Sequence, residues 1–247
     1  LKGNAQTDSV PFDSVKIDTA IALGTDSQGP KCVLKLKIKY ATGSHANEIN
    51  RELLLSGILD NDYYKVDSTK QISIADAVKQ LVAHTTAGYK KDYAEIFKED
   101  PTSMSLNYEF DVTTKVQKGR KGIENYLAEI YIYTGGAHGQ SVSIIRNIDV
   151  KTGEVLTKEK VFAPGSDKAL SALIVKNMAK HYCVNGLKQL QDSVSVFSFM
   201  EPYVSKEFIM EKDSVRFVYS QDEIACHAAG PQEAAVSYKD LGKLIKR

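Results

Sequence analysis

The side chain in the most suggestive setting for chemistry is His138, inside the run Gly135-Gly136-Ala137-His138-Gly139. Glycines on both sides could leave its imidazole at the floor of a cleft, a placement suited to acid–base catalysis or metal binding. Three glycines in five residues also indicate positive φ angles or a close approach of the backbone to another segment. We favour the alternative that His138 anchors the loop by hydrogen bonds to backbone carbonyls, and a ligand contact remains open.

A second pair with chemical potential is Cys226-His227, followed by the small-residue segment 228–231. Neighbours in sequence rarely meet as nucleophile and base, so we prefer simple loop packing for this pair. Gly230 and Pro231 indicate a turn that lets two backbones approach, or alternatively a surface loop that enters a partner's groove. No catalytic residue, metal ligand or cofactor is predicted. The candidate ligand- or partner-binding residues are Gly135, Gly136, His138, Cys226, His227, Gly230 and Pro231.

The remaining reactive residue types match no known reaction motif. Cys32, Cys183 and Cys226 are widely spaced, which argues against a zinc site and allows at most one disulfide of undetermined pairing. The chain has no GxSxG elbow, no P-loop and no GxGxxG fingerprint. Carboxylates such as Asp222 and Glu223 would form a glycosidase pair only at a defined separation, which a sequence does not show.

Composition limits the class of protein. The 247 residues are 43% hydrophobic and 26% charged with a net charge of +1, so the chain can bury a core. No basic cluster with interleaved aromatic residues predicts a nucleic-acid partner. The sequence contains no apolar run of about 18 residues, so no membrane span is predicted. Because the chain begins with Leu rather than Met, we expect that a secretory signal or lipoprotein leader has been removed.

The elements that must position these residues follow from hydrophobic periodicity. Helices are predicted at 46–59 and at 238–246. A long helix is predicted from a capping box at Ser73 to about Lys98, with a bend or break at Gly88. Another helix is predicted to begin at a cap formed by Ser166 or Asp167. Residues 185–204 show no clear pattern. Period-two alternation predicts strands at 12–23, 31–40, 104–112, 126–133, 142–150, 155–157, 207–210, 215–219 and 233–238, with 104–112 and 126–133 forming a hairpin across a polar loop at 115–124.

This order of elements predicts an α+β fold of antiparallel sheets with helices packed on one face, in two subdomains. We expect a flexible lead-in at residues 1–11, an N-terminal α+β domain at 12–134 and a C-terminal α+β domain at 135–247.

Three segments of the C-terminal half resemble the RsiV-like family of bacterial extracytoplasmic domains. They are 133–139 (YTGGAHG), 147–157 (NIDVKTGEVLT) leading to Val161-Phe162 and Pro164-Gly165, and 222–225 (DEIA) through Ala229-Gly230-Pro231 to Val236-Ser237-Tyr238 and Leu241. The N-terminal half is similar, in the order of its strands and helices, to the poorly characterised domain that usually precedes this family. The chain departs from the family pattern at Cys226-His227, where Pro-Tyr is typical.

The resemblance implies a secreted or lipoprotein domain of the cell envelope, in the periplasm or at the cell surface. One branch of the family is the lysozyme-binding ectodomain of the anti-sigma factor RsiV, and another precedes the catalytic domain of the peptidoglycan deacetylase PdaC. We therefore expect a non-enzymatic binding or sensing module for a lysozyme-like protein or a peptidoglycan fragment, with a different partner choice if the Cys226-His227 loop makes the contact. The alternatives are a glycan-processing enzyme that uses His138 and a structural envelope lipoprotein.

Overall fold

A computed structural model describes residues 9–26 and 28–246 of the chain. The strands are β1 Phe12–Ala22, β2 Lys31–Ala41, β3 Tyr108–Lys118, β4 Ile123–Tyr133, β5 Gln140–Asp149, β6 Val155–Leu156, β7 Phe208–Met210, β8 Ser214–Tyr219 and β9 Gln232–Ser237. The α-helices are α1 Ala46–Leu55, α2 Ile74–Glu99, α3 Lys158–Val161, α4 Asp167–His181, α5 Gly186–Gln189 and α6 Tyr238–Leu241. Single turns of 3₁₀-helix cover Met104–Leu106, His227–Ala229 and Gly242–Leu244, and a π-helix covers Leu190–Val194.

The strands form a six-stranded sheet in the order β1-β2-β3-β4-β5-β6 and a three-stranded sheet in the order β7-β8-β9. The α+β class predicted from the sequence is thus confirmed. One pair differs from the predicted antiparallel pattern, because β2 and β3 run parallel, with Cys32 opposite Tyr108. A parallel pair needs a long crossover connection, and the chain between these strands supplies it with α1 and α2.

The chain forms two compact units. The N-terminal unit contains Val10–Lys115 and Ala128–Ile144, and the C-terminal unit contains Val116–Leu127 and the chain from Ile145 onward. Strands β3, β4 and β5 each have residues in both units. The division into domains at residue 135 stays a prediction. Of the expected lead-in, residues 1–8 lie outside the described residues, while Val10 is buried.

In the N-terminal unit, β2 shows the predicted alternation. Leu34, Leu36 and Ile38 are buried, while Lys35 and Lys37 between them are exposed. Apolar side chains on every second position reach the core because successive side chains of a strand point to opposite faces. Both α1 and α2 pack against this strand, so the core of the unit lies between β2 and the helices.

Helix α2 confirms the predicted cap, since the Ser73 side chain accepts a hydrogen bond from the Asp76 N–H. Of the predicted bend or break at Gly88, the break is wrong, because α2 continues through Gly88 to Glu99. A Cβ at Gly88 would lie 2.2 Å from a ring carbon of Tyr63, so this glycine makes room for an aromatic ring instead of ending the helix.

Several predicted bounds also change. Helix α1 ends at Leu55 and not at residue 59, because Gly57 has a positive φ of 88° that terminates it. The strand predicted from residue 104 begins only at Tyr108, after a 3₁₀ turn, and extends into the predicted loop as far as Lys118. Helix α4 begins after Ser166, whose side chain makes no capping hydrogen bond. The predicted C-terminal helix is α6 followed by a 3₁₀ turn that ends at Leu244.

In the C-terminal unit, a side chain of β5 forms hydrogen bonds with the backbone groups at the edge of β7. The buried Asn147 amide donates to the Phe208 carbonyl and accepts from the Met210 N–H, both at 2.9 Å. The buried Glu207 carboxylate forms an ion pair with Arg146 at 3.0 Å. The asparagine amide thereby replaces the backbone partners that an edge strand lacks.

No helix among residues 9–26 and 28–246 is long and apolar enough to cross a membrane.

Candidate functional site

The glycine-rich loop between β4 and β5 belongs to the N-terminal unit. Gly135 has a φ of 82°, and a Cβ there would lie 2.0 Å from the Ser105 carbonyl oxygen. A Cβ at Gly139 would lie 2.3 Å from the ring of Tyr131, whereas one at Gly136 would meet no atom within 4 Å. Two of the three glycines therefore allow close packing of the loop, as the sequence indicated.

The imidazole of His138 is exposed to solvent. Its Nδ1 lies 3.3 Å from the Gly139 carbonyl oxygen, and the Tyr133 hydroxyl donates to the Gly136 carbonyl at 2.9 Å. The His138 contact reaches the carbonyl of the adjacent residue, and the loop-anchoring interpretation stays a prediction. A role of Gly135, Gly136 and His138 in ligand contact stays a prediction.

The second predicted region is the loop between β8 and β9, in the C-terminal unit. His227 Nδ1 lies 2.8 Å from Asp222 Oδ2, and its Nε2 lies 3.2 Å from Gln221 Nε2. A carboxylate accepts and an amide NH₂ donates. The network therefore assigns the tautomer in which Nδ1–H donates to Asp222 and Nε2 accepts from Gln221.

Because both ring nitrogens have partners within the loop, His227 fastens the loop and is not arranged to take a proton from Cys226. Asp222 has a positive φ of 64°, which is uncommon for a residue with a Cβ. The bond to His227 helps to hold Asp222 in that conformation. The Cys226 thiol is free and exposed.

Gly230 ends the 3₁₀ turn with a φ of 67° and a ψ of −167°, a combination that is essentially restricted to glycine. A Cβ there would meet no atom within 4 Å. Among the described residues, the predicted close approach of two backbones is therefore absent at Gly230. The backbone angles alone explain why glycine occupies this position. Pro231 is exposed directly after it.

A third segment, 195–204, was not predicted as a site. Phe199 is 99% exposed, and Met200 and Tyr203 are also exposed, at 41% and 37%. Phe197, two residues earlier, is fully buried and has a positive φ of 58°. The chain therefore buries one phenylalanine and presents the next one to solvent.

Hydrogen bonds hold segment 195–204 against the 220–231 loop. The Phe197 N–H donates to the Ile224 carbonyl at 2.8 Å. The Tyr203 hydroxyl donates to Glu223 Oε1 at 2.5 Å, and the Tyr219 hydroxyl donates to the Tyr203 carbonyl at 2.6 Å.

Ring contacts and charge reinforce this junction. Phe197 and Tyr219 meet edge to face at 5.7 Å between ring centroids, and Tyr203 and Tyr219 meet in the same way at 5.5 Å. Burial and the adjacent Glu223 carboxylate raise the pKa of Tyr203, so its hydroxyl stays protonated as the donor. The two segments thus form one connected surface. We call it the Phe199 surface, made of Phe199, Met200, Tyr203 and the 220–231 loop.

The predicted candidates fall into two groups. Gly135, Gly136 and His138 lie in the N-terminal unit, whereas Cys226, His227, Gly230 and Pro231 share one loop of the C-terminal unit. Phe199 was missed because 195–204 has neither helical nor strand periodicity. The available signal was the run Val-Phe-Ser-Phe-Met at 196–200, which is apolar yet lies outside any regular element.

Within residues 9–26 and 28–246, no group of three or more His, Cys, Asp or Glu side chains could hold a metal ion.

Comparison with known proteins gives a match to one family model over a single segment of the chain, and a fold. Residues 159–239 match the model of a family described as a protein of unknown function, DUF3298. This segment contains both parts of the Phe199 surface. The curated proteins give no match to the sequence.

Two solved structures of this family share the fold. A member from Bacteroides fragilis NCTC 9343 aligns with a TM-score of 0.83 and 23% identity, over 98% of this chain and 96% of that one. A DUF3298 family protein from Pseudomonas aeruginosa PAO1 aligns with a TM-score of 0.65 and 17% identity, over 97% and 95% of the two chains. At these identities the likeness concerns the fold alone, and the finer RsiV-like resemblance stays a prediction.

Proposed function

We propose that this protein is a non-enzymatic binding or sensing module of the cell envelope that recognises its partner, a lysozyme-like protein or a cell-wall glycan, through the Phe199 surface. The exposure of Phe199 is the observation that carries the proposal. Burying a phenylalanine side chain contributes about 1.5–3 kcal/mol relative to leaving it in water. A partner that covers Phe199 gains this free energy, and aromatic anchors of this kind are enriched in the cores of protein interfaces.

The fixed backbone around Phe199 supports the proposal. The Ser198 hydroxyl donates to the Gln191 carbonyl at 3.0 Å, and the Gln191 side chain donates to the Phe197 carbonyl at 2.9 Å. The Ser171 hydroxyl donates to the Pro202 carbonyl at 3.3 Å on the other side. A protruding side chain on an anchored loop loses little conformational entropy when a partner binds, which favours affinity.

Charge and shape define the partner. Glu201 is exposed beside Met200, and the carboxylates of Asp222 and Glu223 lie in the same surface. A convex aromatic side chain with carboxylates around it fits a partner with a concave apolar pocket and a basic rim. The RsiV-like resemblance makes a lysozyme-like protein the first candidate and a peptidoglycan fragment the second. Because Cys226-His227 stand in the 220–231 loop where the family typically has Pro-Tyr, the preferred partner should differ from that of the family.

Calorimetry and pull-down against lysozymes and soluble peptidoglycan fragments test the proposal. We expect a lysozyme-like protein to bind and Phe199→Ala to weaken binding at least tenfold, since interface hot spots contribute about 2 kcal/mol or more. Met104→Ala is the matched control, because Met104 is 70% exposed and belongs to the N-terminal unit. Absence of binding to either class, or equal effects of the two variants, would contradict the proposal. Turnover of the fragments that His138→Ala abolishes would support the enzymatic alternative.

The envelope location is part of the same proposal and rests on the RsiV-like resemblance. The native protein is expected in the periplasmic or surface fraction of the cell. The N-terminus of the full-length gene product tests this directly. A signal peptide, or a lipobox cysteine just upstream of Leu1, supports the location, whereas recovery only in the cytoplasmic fraction would contradict it.

A further inference from the structure

The segment 56–73, which joins α1 to α2 in the N-terminal unit, has no helix or strand of its own. Loops longer than about 12–15 residues without secondary structure are uncommon in compact domains, and they are usually functional or disordered. Here disorder does not apply, because the segment is held by hydrogen bonds. The Asn61 side chain accepts from the Tyr63 and Tyr64 N–H groups at 2.9 Å and donates to the buried Thr85 hydroxyl at 2.9 Å.

This ordered segment lines a cavity of about 670 Å³. That volume lies within the range of about 300–1,000 Å³ that is typical of small-molecule sites. A further cavity of about 310 Å³ shares Lys70, Gln71, Ile72 and Ser73 with it. The lining of the larger cavity is Tyr63, Tyr64, Lys65, Asp67, Lys70, Gln71, Ile72, Ser73, Asp76, Gln80 and His84.

The charges of this lining cancel. Lys65 and Lys70 supply two positive charges, and Asp67 and Asp76 supply two negative ones. Asp67 stays ionised, because hydrogen bonds from Thr69 hold its pKa near 2. A balanced lining gives no net attraction for a phosphate or a metal ion, so the site favours a neutral ligand.

Besides Ile72 and Ser73, the remaining lining groups are amides and rings. The Tyr64 hydroxyl donates to Gln80 Oε1 at 3.4 Å, which leaves the Gln80 NH₂ group without a hydrogen bond to any described residue. The Gln71 side chain likewise makes no hydrogen bond within the described residues, and it offers both a donor and an acceptor. The rings of Tyr64 and His84 are tilted by 44°, with centroids 5.8 Å apart, and they give the cavity an aromatic wall.

We infer that this cavity binds a neutral saccharide. Each sugar hydroxyl both donates and accepts, which suits amide side chains that do the same. The C–H face of a sugar ring is apolar, and it suits the aromatic wall that Tyr64 and His84 form. A fatty chain does not fit, since Ile72 is the only aliphatic side chain among the described lining residues. The site lies in the N-terminal unit and does not depend on the Phe199 surface.

Titration of the ¹⁵N-labelled full chain with chitotriose and maltotriose tests the inference, with inorganic phosphate as the anionic probe. At least one saccharide should shift backbone amides of residues 63–84, with a dissociation constant of about 1 mM or tighter. Gln71→Ala and His84→Ala should each weaken this binding about fivefold, the effect of one hydrogen bond or ring contact. Both side chains are exposed, so neither variant should impair folding.

Gln28→Ala is the control, because Gln28 is an exposed glutamine in the turn between β1 and β2. The saccharide affinity of Gln28→Ala should match that of the unmodified chain within about twofold, because this substitution neither adds nor removes a contact in the cavity. Phe199→Ala should retain saccharide binding. The inference is overturned if no saccharide shifts these amides, if the cavity variants bind as well as Gln28→Ala does, or if phosphate alone binds.

Discussion

Gly135→Ala tests whether the glycine-rich loop is built around a steric requirement. The new methyl group would lie 2.0 Å from the Ser105 oxygen and 2.5 Å from its carbonyl carbon, both backbone atoms that cannot rotate away. Overpacking of this kind costs about 1–3 kcal/mol, and the φ of 82° adds about 1–2 kcal/mol for a residue with a Cβ. We therefore expect a loss of about 3 kcal/mol in the free energy of unfolding.

Gly136→Ala is the matched control in the same loop. A Cβ there meets no atom within 4 Å, and Gly136 does not have a left-handed φ. Replacing such a glycine restricts the unfolded chain, so the variant should be unchanged or more stable by up to about 1 kcal/mol.

Thermal unfolding followed by circular dichroism measures the pair. A loss of about 3 kcal/mol lowers the midpoint by roughly 6–12 °C for a protein of this size. Urea titration checks the same difference in free energy. If the two variants agree within about 0.5 kcal/mol, the close packing of Gly135 on Ser105 does not stabilise the loop, and the steric reasoning fails.

Two further variants and two measurements on the unmodified chain test the packing inside each unit. Asn147→Ala removes both side-chain bonds to β7, and a loss of about 2–4 kcal/mol is expected in urea titration because two buried backbone groups lose their partners. Gly88→Ala should lose about 1–3 kcal/mol in the same assay, since the methyl group would lie 2.2 Å from a tyrosine ring. Thiol titration of the native protein should detect the exposed Cys183 and Cys226 but not the buried Cys32, which appears only in denaturant. Burial raises the pKa of the Cys32 thiol to about 12, so its contribution to stability should be constant below about pH 8 and fall as the pH rises from there towards 12, because the unfolded thiol ionises first.

Each of these changes has its own control. Asn185→Ala alters an exposed asparagine, and equal stability of this variant and Asn147→Ala would contradict the proposed link to β7. The loss in Gly88→Ala should largely disappear in a Tyr63→Ala background, since the ring that the methyl group meets is gone. Native reaction of Cys32 as fast as that of the exposed thiols would show that it is not protected.

The sequence predicted most strands well because alternation of apolar and polar side chains reports directly on which face is buried. In β2 the alternating lysines and aliphatic residues mark the element and its orientation towards the core. Strand direction leaves no such pattern, so the parallel pairing of β2 with β3 was not predicted. The 3₁₀ turn at Met104–Leu106 was also missed, because its apolar positions continue the alternation of the strand that follows.

Features without a sequence pattern were also missed in the candidate site. The glycine-rich loop and the 220–231 loop were found because glycine, histidine and cysteine are conspicuous residue types in a sequence. Phe199 was not found, because an exposed phenylalanine and a buried one look alike in a sequence. The buried Phe197 and its bond to Ile224 decide which of the two faces solvent.

The sequence by itself determined the α+β class, most strand positions and the cap of α2. These features depend on local periodicity and backbone angles, which neighbouring residues control. Only the tertiary structure decided that Gly88 admits a ring, that Asp222 and Gln221 occupy both nitrogens of His227, and that Phe199 stands in solvent. These outcomes depend on contacts between residues that are distant in the chain or brought together by a turn, and local pattern carries no information about them.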